Sequence, residues 1–174
     1  MIDSAKIELR NLQVKDYEEL KISMVKSYQA MPDEYWSKAE IKTLISKFPE
    51  GQLCIIIDNR IAGCALSITV NYDKFDDNHT YEEIIGGENF STHTKNGNVL
   101  YGIDVFIHPE FRGMRLGRRL YEARKELCEH LNLKAIVFGG RIPNYAKYAD
   151  ELTPKRYIEK VKLQEIHDPV LSFQ

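Results

Sequence analysis

The fold of this chain is decided by the stretch His108–Leu120, which reads HPEFRGMRLGRRL. The apolar, β-branched run Val99–Ile107 precedes it and predicts a buried strand, while apolar residues at helical spacing from Leu116 to Leu131 predict a helix after it. A helix N-terminus presents unpaired backbone N–H groups and roughly half a positive charge. A glycine in the preceding turn lets a bulky anion approach the main chain. The stretch therefore predicts a diphosphate site at Arg112–Gly117.

Two other phosphate-binding motifs do not fit this stretch. A Walker loop requires lysine and then serine or threonine after its last glycine, whereas Arg118 and Arg119 follow Gly117. A dinucleotide fingerprint requires Gly-x-Gly-x-x-Gly after the first strand of a βαβ unit, and this loop lies far along the chain without that spacing. The alternative that the stretch is an ordinary solvated start of a helix stays open.

Composition and charge favour a globular domain whose main partner is neither nucleic acid nor a membrane. The 174 residues suit one domain, and 24 basic against 26 acidic residues give a formal net charge of −2. Positive charge gathers in Glu110–Lys125, with six basic residues against two acidic ones, and negative charge in Tyr72–Gly97, with six acidic residues against two basic ones. No apolar run approaches the roughly 20 residues that span a bilayer, and the N-terminus lacks a secretory apolar segment.

The cysteines predict a cellular location. Cys54, Cys64 and Cys128 lie in apolar segments and form no Cys-x-x-Cys pair. This pattern is typical of reduced, buried thiols in a cytoplasmic protein, and it indicates neither a disulfide framework nor a metal site.

The remaining segments predict a layered α/β domain over residues 1–174. Asp16 with Glu19, and Ser37 with Glu40, predict capping boxes that open two helices. Residues 71–97 are polar and acidic and predict a long insertion. The other predicted elements are a strand Ile7–Leu12, a hairpin of Gln52–Asp58 and Ile61–Val70 joined by Asn59-Arg60, a short helix near Tyr81–Ile85, a strand Leu133–Phe138, a helix begun by Thr153 and Pro154, and a strand Val170–Phe173.

The stretch His108–Leu120 resembles motif A of the GNAT superfamily of N-acetyltransferases, which reads Arg/Gln-x-x-Gly-x-Gly/Ala after a strand that ends in Val-x-Pro. Pro109, Arg112 and Gly117 are among the matching positions, as is Gly113, whereas Arg115 occupies the place of the middle glycine. The element order agrees over nearly the whole chain. The resemblance implies a mixed, mostly antiparallel sheet with a splayed central strand pair and helices on both faces.

The resemblance also implies a reaction: an amine attacks the thioester of acetyl-CoA directly in a ternary complex, without a metal. Such a reaction needs a base for the ammonium proton, an oxyanion donor and an acid for the leaving thiolate. The resemblance implies Tyr148 as the acid, with Tyr145 as second choice, and Asp104 is the best candidate for the base. The residues implied to contact the coenzyme are Val105, Phe106, Ile107, Arg112, Gly113, Met114, Arg115, Leu116, Gly117, Arg118 and Asn144.

Each catalytic assignment has a structural alternative. Tyr145 and Tyr148, each taken alone, fit covering the edge of the core somewhat better than catalysis, as amphipathic tyrosines often do. Asp104, flanked by Ile103 and Val105, must face solvent, a partner or a cleft, and a structural hydrogen-bond acceptor meets that requirement as well.

A narrower resemblance concerns the end of the chain. Gly140–Tyr145 and Asp168–Gln174 resemble the N-terminal GNAT-like domain of bacterial proteins that continue into a carbon–nitrogen hydrolase. This implies that the chain is a fragment with a covalently fused hydrolase domain as its partner. Two functions therefore compete: an N-acyltransferase for a small or protein amine, and a non-catalytic acyl-CoA-binding or regulatory module of a larger amide hydrolase. Nucleic-acid binding lacks interleaved aromatic residues, and the sequence leaves the acceptor and a homo-oligomeric state open.

Overall fold

The computed structural model describes residues 6–29, 35–76 and 78–172. The chain divides into two compact units, Met1–Phe138 and Gly139–Gln174. The assignment of one domain to residues 1–174 stays a prediction.

The first unit is built on a five-stranded sheet. Its strands are β1 (Ile7–Asn11), β2 (Leu53–Ile57), β3 (Arg60–Val70), β4 (Val99–Ile107) and β5 (Ala135–Phe138), and they lie side by side in that order. The first four strands pair antiparallel, whereas β5 runs parallel to β4. The predicted mixed, mostly antiparallel sheet is confirmed.

Helices cover both faces of this sheet. The helices of the first unit are α1 (Tyr17–Ser27), α2 (Lys38–Lys47), the short α3 (Tyr81–Ile85) and α4 (Leu116–His130). Side chains alternate across the pleat, so Leu66 of β3 packs with Leu20 of α1 and Leu44 of α2, while its neighbour Ala65 packs with Leu120 of α4. Burial of each large apolar side chain stabilises the fold by about 1.5–3 kcal/mol.

Among its described residues 139–172, the second unit contains one α-helix, α5 (Pro154–Lys162), and a short 3-10 helix, Pro143–Lys147. Thr153 caps α5 by accepting a hydrogen bond from the Arg156 N–H at 3.4 Å, and Pro154 follows the cap. This start was predicted. The predicted last strand, Val170–Phe173, is wrong, since Val170–Ser172 form a turn, and Phe173 lies outside the described residues.

The turn of the first hairpin lies one residue earlier than predicted. Asp58 and Asn59 adopt positive φ values of 49° and 64°, and Arg60 already belongs to β3. Two consecutive left-handed residues are the geometry of a tight hairpin turn, which Asp and Asn tolerate and arginine rarely adopts. The predicted Asn59-Arg60 turn is therefore wrong.

Of the two predicted capping boxes, one is confirmed. Ser37 accepts a hydrogen bond from the Glu40 N–H, and the Glu40 carboxylate accepts one from the Ser37 N–H at 2.8 Å. Asp16 makes no capping hydrogen bond to α1. Its carboxylate instead binds both terminal nitrogens of Arg10, at 2.8 and 2.9 Å, because β1 brings that guanidinium beside it.

Candidate functional site

The loop before α4 exposes a row of unbonded main-chain donors. Gly113 and Arg115 are both left-handed, with φ of 82° and 57°, and Arg115 is the N-cap of the helix. Within residues 6–29, 35–76 and 78–172, the backbone N–H groups of the six positions 113 to 118 donate to no acceptor; the first helical bond runs from the Arg119 N–H to the Arg115 carbonyl. Such a row at a helix N-terminus is an anion cradle.

The side chains around these N–H groups include exposed basic residues and a buried apolar one. Arg112, Arg115 and Arg118 are exposed, and the Arg112 Nε donates to the Ile107 carbonyl at 3.4 Å, which ties the loop to the end of β4. Leu116 is buried against Leu120 and the sheet, so it anchors the helix and leaves only its amide for a ligand. Met114 is 42% exposed and Gly117 is buried. The structure thus brings all the predicted loop residues into one short segment.

Beside this loop, β4 separates from β5. The parallel pairing of β4 with β5 ends at the pair Gly102 and Phe138, whereas β4 continues to Ile107. The antiparallel register with β3 shifts at the same place, because Leu66 pairs with Asp104 and Ser67 pairs with Gly102. The unpaired Ile103 is the extra residue of a β-bulge, which bends a strand. The predicted splay is confirmed.

The three β4 residues predicted to contact coenzyme A lie beyond the bulge. Phe106 is buried in the core on the α1 side, whereas Val105 and Ile107 are half-buried on the α4 side. Their main chain has no β5 partner, since β5 ends at Phe138.

Asp104 is fixed by aromatic side chains from two other elements. The Tyr28 hydroxyl donates to its Oδ1 at 2.5 Å, and the Trp36 Nε1 donates to its Oδ2 at 3.0 Å. These contacts are those of a structural hydrogen-bond acceptor. They occupy one lone pair on each oxygen, so the half-buried carboxylate retains the capacity to accept a proton.

The burial of Arg124 beside the bulge of β4 was not predicted. The sequence places this residue in the basic cluster Glu110–Lys125, yet its side chain is only 1% exposed. Its Nη2 donates to the carbonyls of Leu66 and Asp104, at 2.8 and 2.6 Å. Burial lowers the pKa of this guanidinium from its ordinary value. The available signal was its spacing, four residues after Leu120 on the buried stripe of α4.

Asn144, Tyr145 and Tyr148 lie together in the second unit. The Tyr145 hydroxyl donates to the Leu152 carbonyl at 2.9 Å, and the rings of Tyr145 and Tyr148 both pack against Tyr157. No hydrogen bond of the Tyr148 hydroxyl occurs among the described residues, although its ring is half-buried. The two tyrosines therefore differ: Tyr145 has a structural partner for its proton.

Asp168 organises this second unit and was not foreseen. It is fully buried, and its Oδ2 accepts hydrogen bonds from the Tyr157 hydroxyl at 2.7 Å and from the Asn144 N–H at 3.2 Å. Its Oδ1 accepts from the N–H groups of Val170 and Leu171. Burial raises the pKa of the Asp168 carboxyl, but these hydrogen bonds outweigh it and the net pKa lies below the ordinary 3.8. Burial together with Asp168 raises the pKa of Tyr157 to about 12.

Metal ligands and membrane spans were searched over the same described residues. Among them, no group of three or more His, Cys, Asp or Glu side chains could hold a metal ion. None of the described helices has the length and apolar character that crossing a bilayer requires. All three cysteines are free and buried.

The mixed sheet, whose fourth strand separates from the fifth beside a helix N-terminus, is a GNAT-like α/β fold. The sequence profile of the Acetyltransferase (GNAT) family matches residues 8–149, and the chain belongs to that family. The chain is 33% identical over 169 residues to the uncharacterized N-acetyltransferase YkwB of Bacillus subtilis (strain 168), a match that covers 93% of this chain and 75% of YkwB.

A second relative is longer than this chain. The probable hydrolase YhcX of Bacillus subtilis (strain 168) is 42% identical over 169 residues, which are 97% of this chain but 33% of YhcX. The chain therefore spans about a third of the length of that relative.

Solved structures share the fold. The loading GNATL domain of CurA from Lyngbya majuscula superposes with a TM-score of 0.74 at 24% identity, covering 88% of this chain and 74% of that domain. The GphF GNAT-like decarboxylase in complex with isobutyryl-CoA also gives 0.74, at 18% identity, covering 95% of this chain and 82% of the other. At these identities the likeness concerns the fold alone.

Proposed function

We propose that this domain transfers an acetyl group from acetyl-CoA to an amine by direct attack in a ternary complex. The observation that carries the proposal is the row of unbonded N–H groups at residues 113 to 118, next to a strand whose residues 103–107 have left β5. The first feature suits a diphosphate. The second leaves main-chain groups for a pantetheine arm, which carries two amides of its own.

The loop residues and β4 hold the coenzyme in this proposal. The amides of Gly113–Arg118 bind the diphosphate, while the exposed guanidinium groups of Arg112, Arg115 and Arg118 add positive charge. Main-chain groups of Val105, Phe106 and Ile107 pair with pantetheine, and a β4 N–H binds the oxyanion. Asn144 is proposed as a further coenzyme contact. The reaction takes place in the cytoplasm, in keeping with three free thiols.

The proposed chemistry removes two protons from the acceptor nitrogen and delivers one proton to the leaving thiolate. Asp104 takes the first proton from the acceptor ammonium, so that the nitrogen lone pair attacks the thioester carbon. The C–N bond forms, the C–S bond breaks, and Tyr148 gives its proton to the leaving thiolate, while the second nitrogen proton is lost through solvent and restores the Tyr148 hydroxyl. Tyr148 is preferred to Tyr145 because the Tyr145 hydroxyl already donates to the Leu152 carbonyl.

Coenzyme binding is tested by calorimetry with coenzyme A. The Gly117→Asp variant places a carboxylate among the amides and weakens binding about 100-fold or more, since like charges ~4 Å apart repel by ~4 kcal/mol near a protein surface. The Lys125→Gln variant is the matched control, because it changes the net charge equally from an exposed position on the same helix. Equal affinity of both variants and the wild type would remove the loop as the binding site.

Catalysis is tested by thiol release from acetyl-CoA across a panel of amines. Tyr148→Phe lowers kcat about 100- to 1,000-fold, the usual contribution of a general acid, and leaves coenzyme affinity unchanged. Tyr145→Phe removes only a structural hydrogen bond, so it lowers thermal stability and keeps kcat within about threefold. If Tyr145→Phe is the variant that loses kcat, the acid is Tyr145.

The base assignment of Asp104 needs its own comparison. Asp104→Asn keeps an oxygen for the Tyr28 hydroxyl but cannot take a proton, so kcat falls while coenzyme affinity is unchanged; its amide nitrogen also faces the Trp36 Nε1 donor. Tyr28→Phe keeps the carboxylate and removes the hydrogen bond from Tyr28. Equal losses of kcat in both variants would make Asp104 a structural acceptor.

The alternative is a non-catalytic acyl-CoA-binding or regulatory module of a larger amide hydrolase. The observation that favours it is the length of YhcX, a probable hydrolase of which this chain spans 33%. Tight acetyl-CoA binding without thiol release for any small or peptide amine would support this alternative and overturn the transfer reaction.

A further inference from the structure

Arg124 is a buried cation held by neutral acceptors at the bulge of β4. It is 1% exposed, its Nε donates to the Ser67 Oγ at 3.1 Å, and its Nη2 donates to the carbonyls of Leu66 and Asp104. In the part of the chain that the structure describes, no carboxylate forms an ion pair with it. Burying an unpaired charge costs free energy. An apolar residue would avoid that cost at this position of α4, so we infer that the hydrogen bonds of the guanidinium have a role of their own.

The two carbonyls that share Nη2 belong to the residues at which the register shifts. Leu66 of β3 and Asp104 of β4 are paired, and the next pair skips Ile103. A bulge disrupts the ladder and frees main-chain groups. One nitrogen that binds a carbonyl from each strand therefore clamps β3 to β4 where the ladder is weakest.

The same guanidinium lies where β4 leaves β5. A Cβ on Gly102 would lie 3.1 Å from the Arg124 Nη1 and 3.2 Å from the Phe138 Cβ. Gly102 and Phe138 form the last pair between the two strands. The glycine thus provides the space that the guanidinium fills at the inner end of the splay.

We propose that Arg124 is a positioning residue of the acyl-transfer site, which fixes the direction of β4 beyond the bulge by clamping the Leu66 and Asp104 carbonyls. Asp104 carries the proposed base, and the next residues along β4 carry the proposed main-chain contacts. Arg124 thereby positions the proposed base and the proposed main-chain contacts without touching substrate. The inference rests on the proposed acetyl transfer.

A purely structural role predicts a different outcome from a positioning role, so the test combines kinetics with amide hydrogen exchange measured by mass spectrometry. Arg124→Met removes all the donors at similar length. Arg124→Lys keeps the charge but not the planar group that reaches three acceptors. Lys125→Met, an exposed change at the next position, is the matched control.

Gly102→Ala supplies a second perturbation that keeps the arginine. Its methyl group displaces the guanidinium by a few tenths of an ångström, since the contact of 3.1 Å is tighter than a Cβ normally accepts. In the wild-type background it lowers kcat about tenfold. In the Arg124→Met background only the contact of 3.2 Å with the Phe138 Cβ remains, so the further loss shrinks to about twofold.

The expected result for Arg124→Met is a fall in kcat of about 10- to 100-fold, the effect of misplacing reacting groups by ~1 Å. The KM for acetyl-CoA rises by no more than about threefold, because the proposed pantetheine contacts along β4 weaken while the proposed diphosphate contacts of the loop remain. Exchange rises in the peptide that covers residues 102–107 and stays unchanged in β1 and β2. The kcat of Arg124→Lys is close to that of Arg124→Met, and the kcat of Lys125→Met is close to that of the wild type. If Arg124→Met does not fold, kcat and the hydrogen exchange of residues 102–107 are measured in Gly102→Ala, and they test the proposal in its place.

Three outcomes would overturn the proposal. Exchange that rises equally throughout the sheet would make Arg124 a stability residue. Equal losses from Gly102→Ala in both backgrounds would show that the glycine acts independently of Arg124. If the wild type releases no thiol with any amine, the proposed transfer fails, and the exchange pattern alone still decides: unchanged exchange at residues 102–107 in Arg124→Met rejects the clamp.

Discussion

Replacement of Gly113 by alanine changes the backbone energy of the loop before α4 without creating a steric clash. Gly113 has a φ of 82°, and no atom lies within 4 Å of the position that a Cβ would take. The added methyl group therefore meets no neighbour. The left-handed conformation costs an L-residue about 1–2 kcal/mol, while alanine restricts the unfolded chain and recovers about 0.4–1 kcal/mol. The net loss of stability is ~1 kcal/mol, or a Tm lowered by about 2–4 °C for a chain of this size.

The effect on coenzyme binding is larger than the effect on stability. To relieve the strain, the alanine main chain turns towards negative φ, and the neighbouring N–H groups turn away from the diphosphate. Loss of one charge-assisted hydrogen bond weakens binding by about 1.5–3 kcal/mol, or roughly 10- to 100-fold in Kd. Calorimetry with coenzyme A measures Kd, and a thermal melt of the same sample measures Tm.

Gly87→Ala is the matched control for this substitution. Gly87 has a similar φ of 67°, and the nearest atom to its Cβ position is the Glu82 Oε1 at 3.4 Å. It lies after α3 and outside the loop, so its Tm falls by a similar amount and its Kd for coenzyme A stays at the wild-type value. If Gly113→Ala and Gly87→Ala lower Tm alike and both keep the wild-type Kd, the N–H groups beside Gly113 do not hold the ligand.

Three further substitutions have smaller or more local effects. Arg115→Gly removes a left-handed strain of about 1–2 kcal/mol but frees the unfolded chain by a similar amount, so Tm in a thermal melt stays within about 2 °C. Ser37→Ala removes the cap of α2 and costs about 1 kcal/mol, measured by urea unfolding; an unchanged midpoint would contradict the cap. The pKa of Asp168 lies below 3.8 in the fold, so its contribution to stability is present above that pH and is lost as pH falls through the folded-state value. Asp168→Asn is therefore less stable at pH 7 by thermal melt, and its stability falls less steeply than the wild type's between pH 5 and pH 2.

The parts of the fold that the sequence predicted best depend on neighbouring residues. The strand, turn and helix around Arg112–Gly117 each follow from a local pattern, and the structure has β4 and α4 within a residue of the predicted bounds. The caps at Ser37 and Thr153 are local too, since each bonds to an N–H three residues away.

The features that the sequence did not predict depend on residues that are distant along the chain. Asp104 is bonded by Tyr28 and Trp36, which are 76 and 68 residues away. Arg124 reaches carbonyls 58 and 20 residues away. An arginine on a helix is usually a solvated residue, whereas the carbonyls that hold this one inward belong to β3 and β4.

The proposed main-chain recognition of the diphosphate also explains how the loop accommodates its departure from the GNAT motif. A diphosphate held by N–H groups depends on the φ of each loop residue and not on the side chain that the residue carries. Arg115 adopts the left-handed φ of 57° that a glycine would adopt at the middle position, and its side chain is exposed. The departure therefore costs strain and keeps the amide, and it bears on stability more than on coenzyme binding. The proposed transfer depends instead on two single side chains, Tyr148 and Asp104, whose substitution we expect to lower kcat while the loop still binds coenzyme A.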